Sequence, residues 1–167
     1  LSFEPIDDER RFVSIQYNAR LQGSTSQESC VRRGVMVAAV IDALESQGYR
    51  TQVKFAFANS GAGASRYQLE VYVTVKQYSE SLDLDKLVFL LANPAAHRRL
   101  NWAYKELLPW QERGFLSVGE NDSSGYGGPA PLTDAADLSF SEHNNYSSVD
   151  DAAAAIREIL GKYSVTV

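Results

Sequence analysis

The chain has 167 residues, of which 44% are hydrophobic and 22% charged, and this size and composition are typical of one globular domain with a substantial core. Its 16 Lys and Arg against 21 Asp and Glu give a net charge of −5, which argues against sequence-independent attraction to nucleic acid or to an anionic membrane. A single cysteine excludes an intrachain disulfide, and no apolar run approaches the ~20 residues that span a bilayer. We therefore expect a cytoplasmic protein that binds neither nucleic acid nor membranes.

Residues 1–10 are predicted to lead into the fold, and residues 11–167 to form a single α/β domain. From residue 11, Val13, Ile15 and Tyr17 alternate with more polar residues, which is the period of a β-strand. We therefore predict that the first strand lies here, in a central position of the sheet.

A helix is predicted from near Ser26 to a left-handed stop at Gly48. Thr25 and Glu28 fit a capping box at its start. A glycine at position 34 costs about 1 kcal/mol relative to alanine in a helix interior, which predicts close packing of the helix backbone on the sheet. The predicted buried face consists of Cys30, Gly34, Val37, Ile41 and Leu44, widened by Val31, Val35 and Ala38.

Two alternating segments, 51–58 and 67–76, follow this helix and are separated by a short stretch of turn-forming residues. Such a spacing predicts an antiparallel hairpin, since it is too short for a crossover helix. Polar residues alternate along the second segment, which favours a position near the edge of the sheet. Because strand, helix and strand also precede the hairpin turn, the sheet should be mixed.

The second half of the chain predicts three more helical segments and one core strand. Asp83 can cap a helix that breaks and restarts at Asn93-Pro94. Residues 114–118 fit a short strand, and residues 119–133 form a long irregular loop of the kind that often carries function. Residues 137–141 predict the last core strand, and residues 148–151 cap a final helix.

These elements predict an α/β fold: a three-layer sandwich with a mixed, mostly parallel sheet, one antiparallel edge hairpin and helices on both faces, as in Rossmann-like proteins. Their order resembles that of von Willebrand factor A-type domains. In that family a D-x-S-x-S motif after the first strand holds a divalent metal. Here Ser24 and Ser26 match the two serines, but Gln22 stands where the aspartate would be.

Magnesium prefers anionic oxygen ligands, so an amide at position 22 argues against a metal site. We expect no metal and no cofactor, with magnesium bound through Gln22, Ser24 and Ser26 as the weaker alternative. In the absence of metal, these hydroxyl groups would simply cap the helix. The resemblance implies a protein-interaction module, with or without metal.

A second resemblance is carried by the segments RRGVMVAAVIDALESQGYRTQV and LDLDKLVFLLANPAAHRRLNWAYKE. They are similar to uncharacterised proteins of bacteriophages and prophages, especially those of actinobacteria. This resemblance implies an origin in a phage-related protein, located in the host cytoplasm or the virion, and implies no catalytic activity.

The predicted partner-binding surface lies in the loops at one end of the sheet and consists of Ser24, Ser26, Tyr126, Asp137 and His143. We expect a non-enzymatic domain that binds another protein there, with the oligomeric state left open. One alternative is a metal-assisted hydrolase or nucleotide-processing enzyme that uses Asp137, His143 and the serines of the first loop. Another alternative is a structural subunit of a phage particle.

Two further groups were weighed as sites. His97, Arg98 and Arg99 predict a solvated basic turn, with contact to a phosphate or nucleic acid as the alternative. Cys30 is expected to be a small core residue, because no neighbour in the sequence would lower the pKa of its thiol.

Overall fold

The computed structural model describes residues 11–20, 25–60, 68–107, 109, 128–129, 131–141 and 148–164. The predicted leader and the predicted strand at 114–118 lie outside these residues. In chain order the elements are β1 (Phe12–Asn18), α1 (Gln27–Ser46), β2 (Arg50–Ser60), β3 (Gln68–Lys76), α2 (Leu84–Ala92), α3 (Pro94–Leu107), β4 (Gly128–Pro129), β5 (Leu138–Phe140) and α4 (Val149–Gly161).

Four strands form the body of the sheet in the order β3-β2-β1-β5. The central strand β1 pairs in parallel with β2 and with β5, while β2 and β3 form the antiparallel hairpin. The two-residue strand β4 pairs with the far end of β2, at Asn59 and Ser60. The α/β class, the mixed sheet and the edge hairpin are therefore confirmed.

The described helices pack on one face of the sheet. Alternate residues of β1, namely Val13, Ile15 and Tyr17, are buried in the hydrophobic core beneath them. Helix α1 lies in the middle of the layer and contacts α2 on one flank and α4 on the other. The predicted second helical layer is not seen among the residues that the structure describes.

The other face of the sheet is crossed by residues 131–137, which we call the strap. It joins β4 to β5 in the chain and reaches three strands through side chains. Its hydrogen bonds join Thr133 to Glu70 of β3, Asp134 to Lys54 of β2, and Asp137 to Ser14 of β1. The polar residues that alternate along β1 and β2 are used in this way to hold the strap.

The helix boundaries follow local chemistry closely. Ser26 is the N-cap of α1, and its side chain accepts a hydrogen bond from the Ser29 amide, so the capping box predicted from Thr25 is wrong by one position. Asp83 caps α2 as predicted, and α3 begins at Pro94, one residue after the break at Asn93. Gly48 has a φ of 86°, which favours glycine and ends the turn after α1.

The packing of α1 differs from the prediction in two respects. Gly34 approaches α2 rather than the sheet: a Cβ atom there would lie 2.2 Å from the carbonyl oxygen of Leu91. Val31 and Val35, expected to widen the buried face, are exposed. The small residue at position 34 therefore sets the spacing of two helices within the layer.

Candidate functional site

Four polar or ionisable side chains meet beneath the first two turns of α1, at the carboxyl end of β1. They are Tyr17, Cys30, Arg33 and His97, and we call them the carboxyl-end cluster. All four are buried. The carboxyl ends of parallel strands are where α/β proteins commonly bind ligands, so this cluster is the first candidate for chemistry.

Cys30 and His97 form a direct contact, with 3.2 Å between the Cys30 Sγ and the His97 Nδ1. The other ring nitrogen, Nε2, lies 3.0 Å from the Leu90 carbonyl oxygen. Because a carbonyl can only accept, the hydrogen-bond network assigns the proton to Nε2, and the thiol donates to Nδ1. The imidazole is thus oriented by α2 and accepts a hydrogen bond from the Cys30 thiol of α1.

The His97 imidazole is uncharged at neutral pH. Burial, together with the positive charge of Arg33, lowers the pKa of His97 from 6.5 to about 4. A reactive cysteine requires a thiolate stabilised by a nearby positive charge. A neutral imidazole cannot supply that charge, and Cys30 and His97 are only 3% and 5% exposed.

Arg33 is fully buried and connects α1 to the ends of two strands. Its Nη2 donates to the carbonyl oxygens of Asn18, Phe140 and Ser141 at 2.8, 3.0 and 2.7 Å. Its guanidinium carbon lies 4.3 Å from the centre of the Tyr17 ring, a cation–π distance. These contacts hold β1, β5 and α1 together at one point.

The guanidinium group of Arg33 is not fully satisfied. Its Nε and Nη1 are buried and have no hydrogen-bond partner among the residues that the structure describes, and each such donor costs ~1–3 kcal/mol. The same atoms have almost no accessible surface, so a solute cannot reach them in this arrangement. Arg33 therefore has a structural role: it links α1 to the ends of β1 and β5 inside the fold.

Tyr17 completes the carboxyl-end cluster. Its hydroxyl donates to the Leu91 carbonyl oxygen at 2.8 Å, and burial raises the pKa of this phenol. The Tyr17 ring also lies against the rings of Phe55 and His97. The group stays protonated and serves to seat the end of α2 on the sheet.

Ser26 and Asp137 are the two predicted partner-binding residues that the structure describes, and it does not bring them together. Ser26 caps α1. Asp137 immediately precedes β5, where its Oδ2 accepts from the Ser14 amide at 2.7 Å and from the Ser14 hydroxyl at 2.6 Å. These hydrogen bonds lower the pKa of Asp137. Both residues therefore already have local structural partners.

The remaining predicted site residues lie outside the described residues: Gln22, Ser24, Tyr126 and His143. In the part of the chain that the structure describes, no group of three or more His, Cys, Asp or Glu side chains could hold a metal ion. The metal interpretation of the first loop stays a prediction. No helix within the described ranges is long and apolar enough to cross a membrane.

A second candidate surface is the outer edge of β3. Within the described residues, β3 pairs only with β2, so its other edge presents backbone donors and acceptors. A bulge shifts the register between Val53 and Lys54 of β2, so the evenly paired part of β3 ends at Thr74. We call Glu70–Thr74 the open edge. One of its two valines, Val73, is 49% exposed.

The sequence predicted the edge position of β3 but missed the carboxyl-end cluster. Cys30 and His97 are 67 positions apart, and no local pattern joins them. His97, predicted in a solvated basic turn, is buried. Arg33 did carry a signal, because it lies between Cys30 and Val37 on the apolar face of α1. A charged residue in that position indicates a buried hydrogen-bonding role.

The fold and its internal polar cluster define an α/β domain with a mixed sheet and one antiparallel edge. Residues 3–167 match a family described as Domain of unknown function (DUF7192). The chain belongs to this family, which accounts for nearly its whole length. No curated protein and no solved structure matches the chain.

Proposed function

We propose that this chain is a non-enzymatic protein-interaction domain and that it binds through the open edge of β3. The observation that carries the proposal is the exposure of Val73, at 49%, on a strand that no other described strand covers. The predicted site in the loops is less well supported, because Ser26 and Asp137 are engaged within the fold.

An open strand edge binds proteins through backbone hydrogen bonds, while alternate side chains determine which partner fits. The open edge has the sequence EVYVT, with no proline or glycine and with two β-branched valines on the helix-covered face. Natural edges are usually protected by lysine, proline or a bulge. Here the bulge lies beyond Thr74, so the five residues of the open edge lie in the regularly paired part of β3.

The test compares two valines of nearly equal exposure, Val73 in β3 at 49% and Val35 in α1 at 48%. Tagged wild-type protein, V73K and V35K are used as baits in an extract of the native host, after circular dichroism has shown that each is folded. We expect V35K to retain the proteins that the wild type binds and V73K to lose them. Equal retention by both variants would contradict the proposal.

The resemblance to phage and prophage proteins also supports a proposal about the origin of this protein. We propose that the domain belongs to a phage- or prophage-related protein of the host cytoplasm or the virion, and the basis of this proposal is the resemblance of two long segments given in the sequence analysis. The structural-subunit alternative belongs to the same context and is compatible with an interaction edge.

A second candidate function is an enzyme with a cysteine nucleophile, which one observation favours: the 3.2 Å contact between Cys30 and His97. Iodoacetamide labelling of the native protein, followed by mass spectrometry, tests it. Labelling of Cys30 as fast as in urea would support the enzyme. Protection until the protein unfolds is the outcome that the burial of Cys30 leads us to expect. The metal-assisted alternative, through Asp137 and His143, stays a prediction from the sequence.

A further inference from the structure

We infer that the partner of the open edge is a second copy of this chain, with the two β3 strands paired antiparallel about a two-fold axis at Tyr72. This inference rests on the proposed function and names its partner. The pairing would join two four-stranded sheets into one continuous sheet, with the described helices on the same face.

The alternation of the open edge makes it complementary to itself. A two-fold axis at Tyr72 pairs positions with the same parity, so Val71 lies opposite Val73 of the second copy, and Glu70 opposite Thr74. Valines on the helix-covered face therefore meet valines, and polar residues on the strap-covered face meet polar residues. Cross-strand pairs of β-branched residues stabilise sheets, and this register forms two such pairs.

Charge also favours a second copy. Glu70 is the one carboxylate of the open edge, which contains no basic residue, and an axis at Tyr72 keeps the two Glu70 side chains from facing each other. Glu70 accepts hydrogen bonds from Tyr72 and Thr133 of its own chain, so its charge is already stabilised. Like charges directly opposite each other destabilise paired strands, and this register avoids them.

The bulge beyond Thr74 limits the interface to a short stretch. Val75 is the extra residue on β3, and the next residue, Lys76, is buried against Glu45 with 2.9 Å between Nζ and Oε1. Lys76 therefore has no part in the pairing. A bulge disrupts regular pairing and increases the local twist. The regular pairing of the two β3 strands therefore ends at Thr74.

Solution mass tests the inference. The mass of the wild type, measured by sedimentation equilibrium over a series of concentrations, is expected to rise from monomer to dimer. V73K is expected to remain monomeric, and V35K to dimerise like the wild type. A monomeric wild type at every concentration, or equal loss of dimer in V73K and V35K, would overturn the inference.

Disulfide trapping tests the register without a disruptive charge. A mixture of V71C and V73C proteins, oxidised with copper phenanthroline, is expected to form more crosslinked dimer than either variant alone. V35C reports on random collisions, and the native Cys30 is buried. No crosslink above that of V35C would overturn the inference. If the wild type is monomeric while V73K still loses its bound proteins in the extract, the inference fails and the proposed function stands.

Discussion

Arg33 and His97 place a permanent charge and a titratable ring in the same small volume. The guanidinium cannot lose its proton, so the second group must stay neutral. This explains why the pKa of His97 falls to about 4, first through burial and then through the charge of Arg33. It also means that the ring nitrogen facing Cys30 carries no proton and can accept a hydrogen bond from the thiol.

We expect this arrangement to make folding stability depend on pH in a defined window. The unfolded chain binds a proton at His97 near pH 6.5, and the native protein only near 4, so the stabilisation is complete above 6.5 and is lost as the pH falls toward 4. The difference amounts to about 3 kcal/mol of unfolding free energy. Urea unfolding at a series of pH values measures it.

H97Q should flatten that dependence, because glutamine can donate to the Leu90 carbonyl and does not titrate. The matched comparison is H143Q, which changes the other histidine of the chain, and the flatter slope of the two identifies the responsible group. Identical slopes for H97Q and the wild type would show that His97 is not the responsible group.

At the same scale, the sequence was sufficient where a residue acts on its immediate neighbours. Ser148, Asp83 and Pro94 mark helix starts by local chemistry, and those positions were predicted. Arg33 and His97 depend on strand ends and helices brought together only by folding. Their partners are backbone carbonyls. Every residue has a backbone carbonyl, so the sequence does not indicate which ones accept these hydrogen bonds.

At the scale of elements, the contact between α1 and α2 depends on the absence of a side chain. A Cβ at position 34 would lie 2.2 Å from the Leu91 carbonyl oxygen and 2.4 Å from the Ala92 Cα. Both atoms belong to the backbone, so they cannot turn aside as a flexible side chain would. Two helices must separate to accommodate even one methyl group.

G34A is therefore expected to destabilise the protein by about 1–3 kcal/mol, the usual cost of overpacking. The same substitution at the end of α4, G161A, provides the control, because no atom lies within 4 Å of a Cβ at that position. Chemical denaturation of both variants measures the difference. An unchanged midpoint for G34A would show that the helices can move apart freely.

The strap is the second contact between elements that can be tested. One carboxylate contributes two of the hydrogen bonds between the strap and β1, since Asp137 accepts from both the amide and the hydroxyl of Ser14. We expect D137N to lower the unfolding free energy by about 1 kcal/mol, the typical worth of a hydrogen bond.

D42N, at an exposed position of α1, controls for the loss of one negative charge, and thermal unfolding compares the two variants. A pH series adds a second readout. Hydrogen bonds from Ser14 lower the pKa of Asp137 below its ordinary 3.8, so its contribution is present above that value and is lost as the pH falls further. Equal midpoints for D137N and D42N at neutral pH would show that the strap does not depend on this carboxylate.

For the whole molecule, the class of fold was within reach of the sequence, because periodicity and turn residues specify strands and helices in order. The parallel pairing of β1 with β5 was expected only in outline, and β4 was not predicted, since two residues, Gly128 and Pro129, show no period. The strap was also missed, because polar residues that bind a sheet look like an ordinary loop.

The prediction that the first loop binds no metal can be tested on the whole protein. Ser26 already caps α1, so we expect millimolar magnesium or manganese to leave the midpoint of thermal unfolding unchanged relative to a chelator. A ligand at 100 times its dissociation constant would add about 2.7 kcal/mol and raise the midpoint visibly. Such a rise would restore the first loop, with Gln22 and Ser24, as a metal site.

The position of β5 has a consequence for synthesis on the ribosome. Ile15 pairs with Leu138, so the pairing of β1 with β5 forms only after more than a hundred further residues have been synthesised. Until then β1 is an edge strand, and the backbone groups that later pair with β5 are exposed. Closing so long a loop is slow, and exposed strands invite aggregation in the interval. We therefore expect the growing chain to be most prone to aggregation before Leu138–Phe140 can pair with β1.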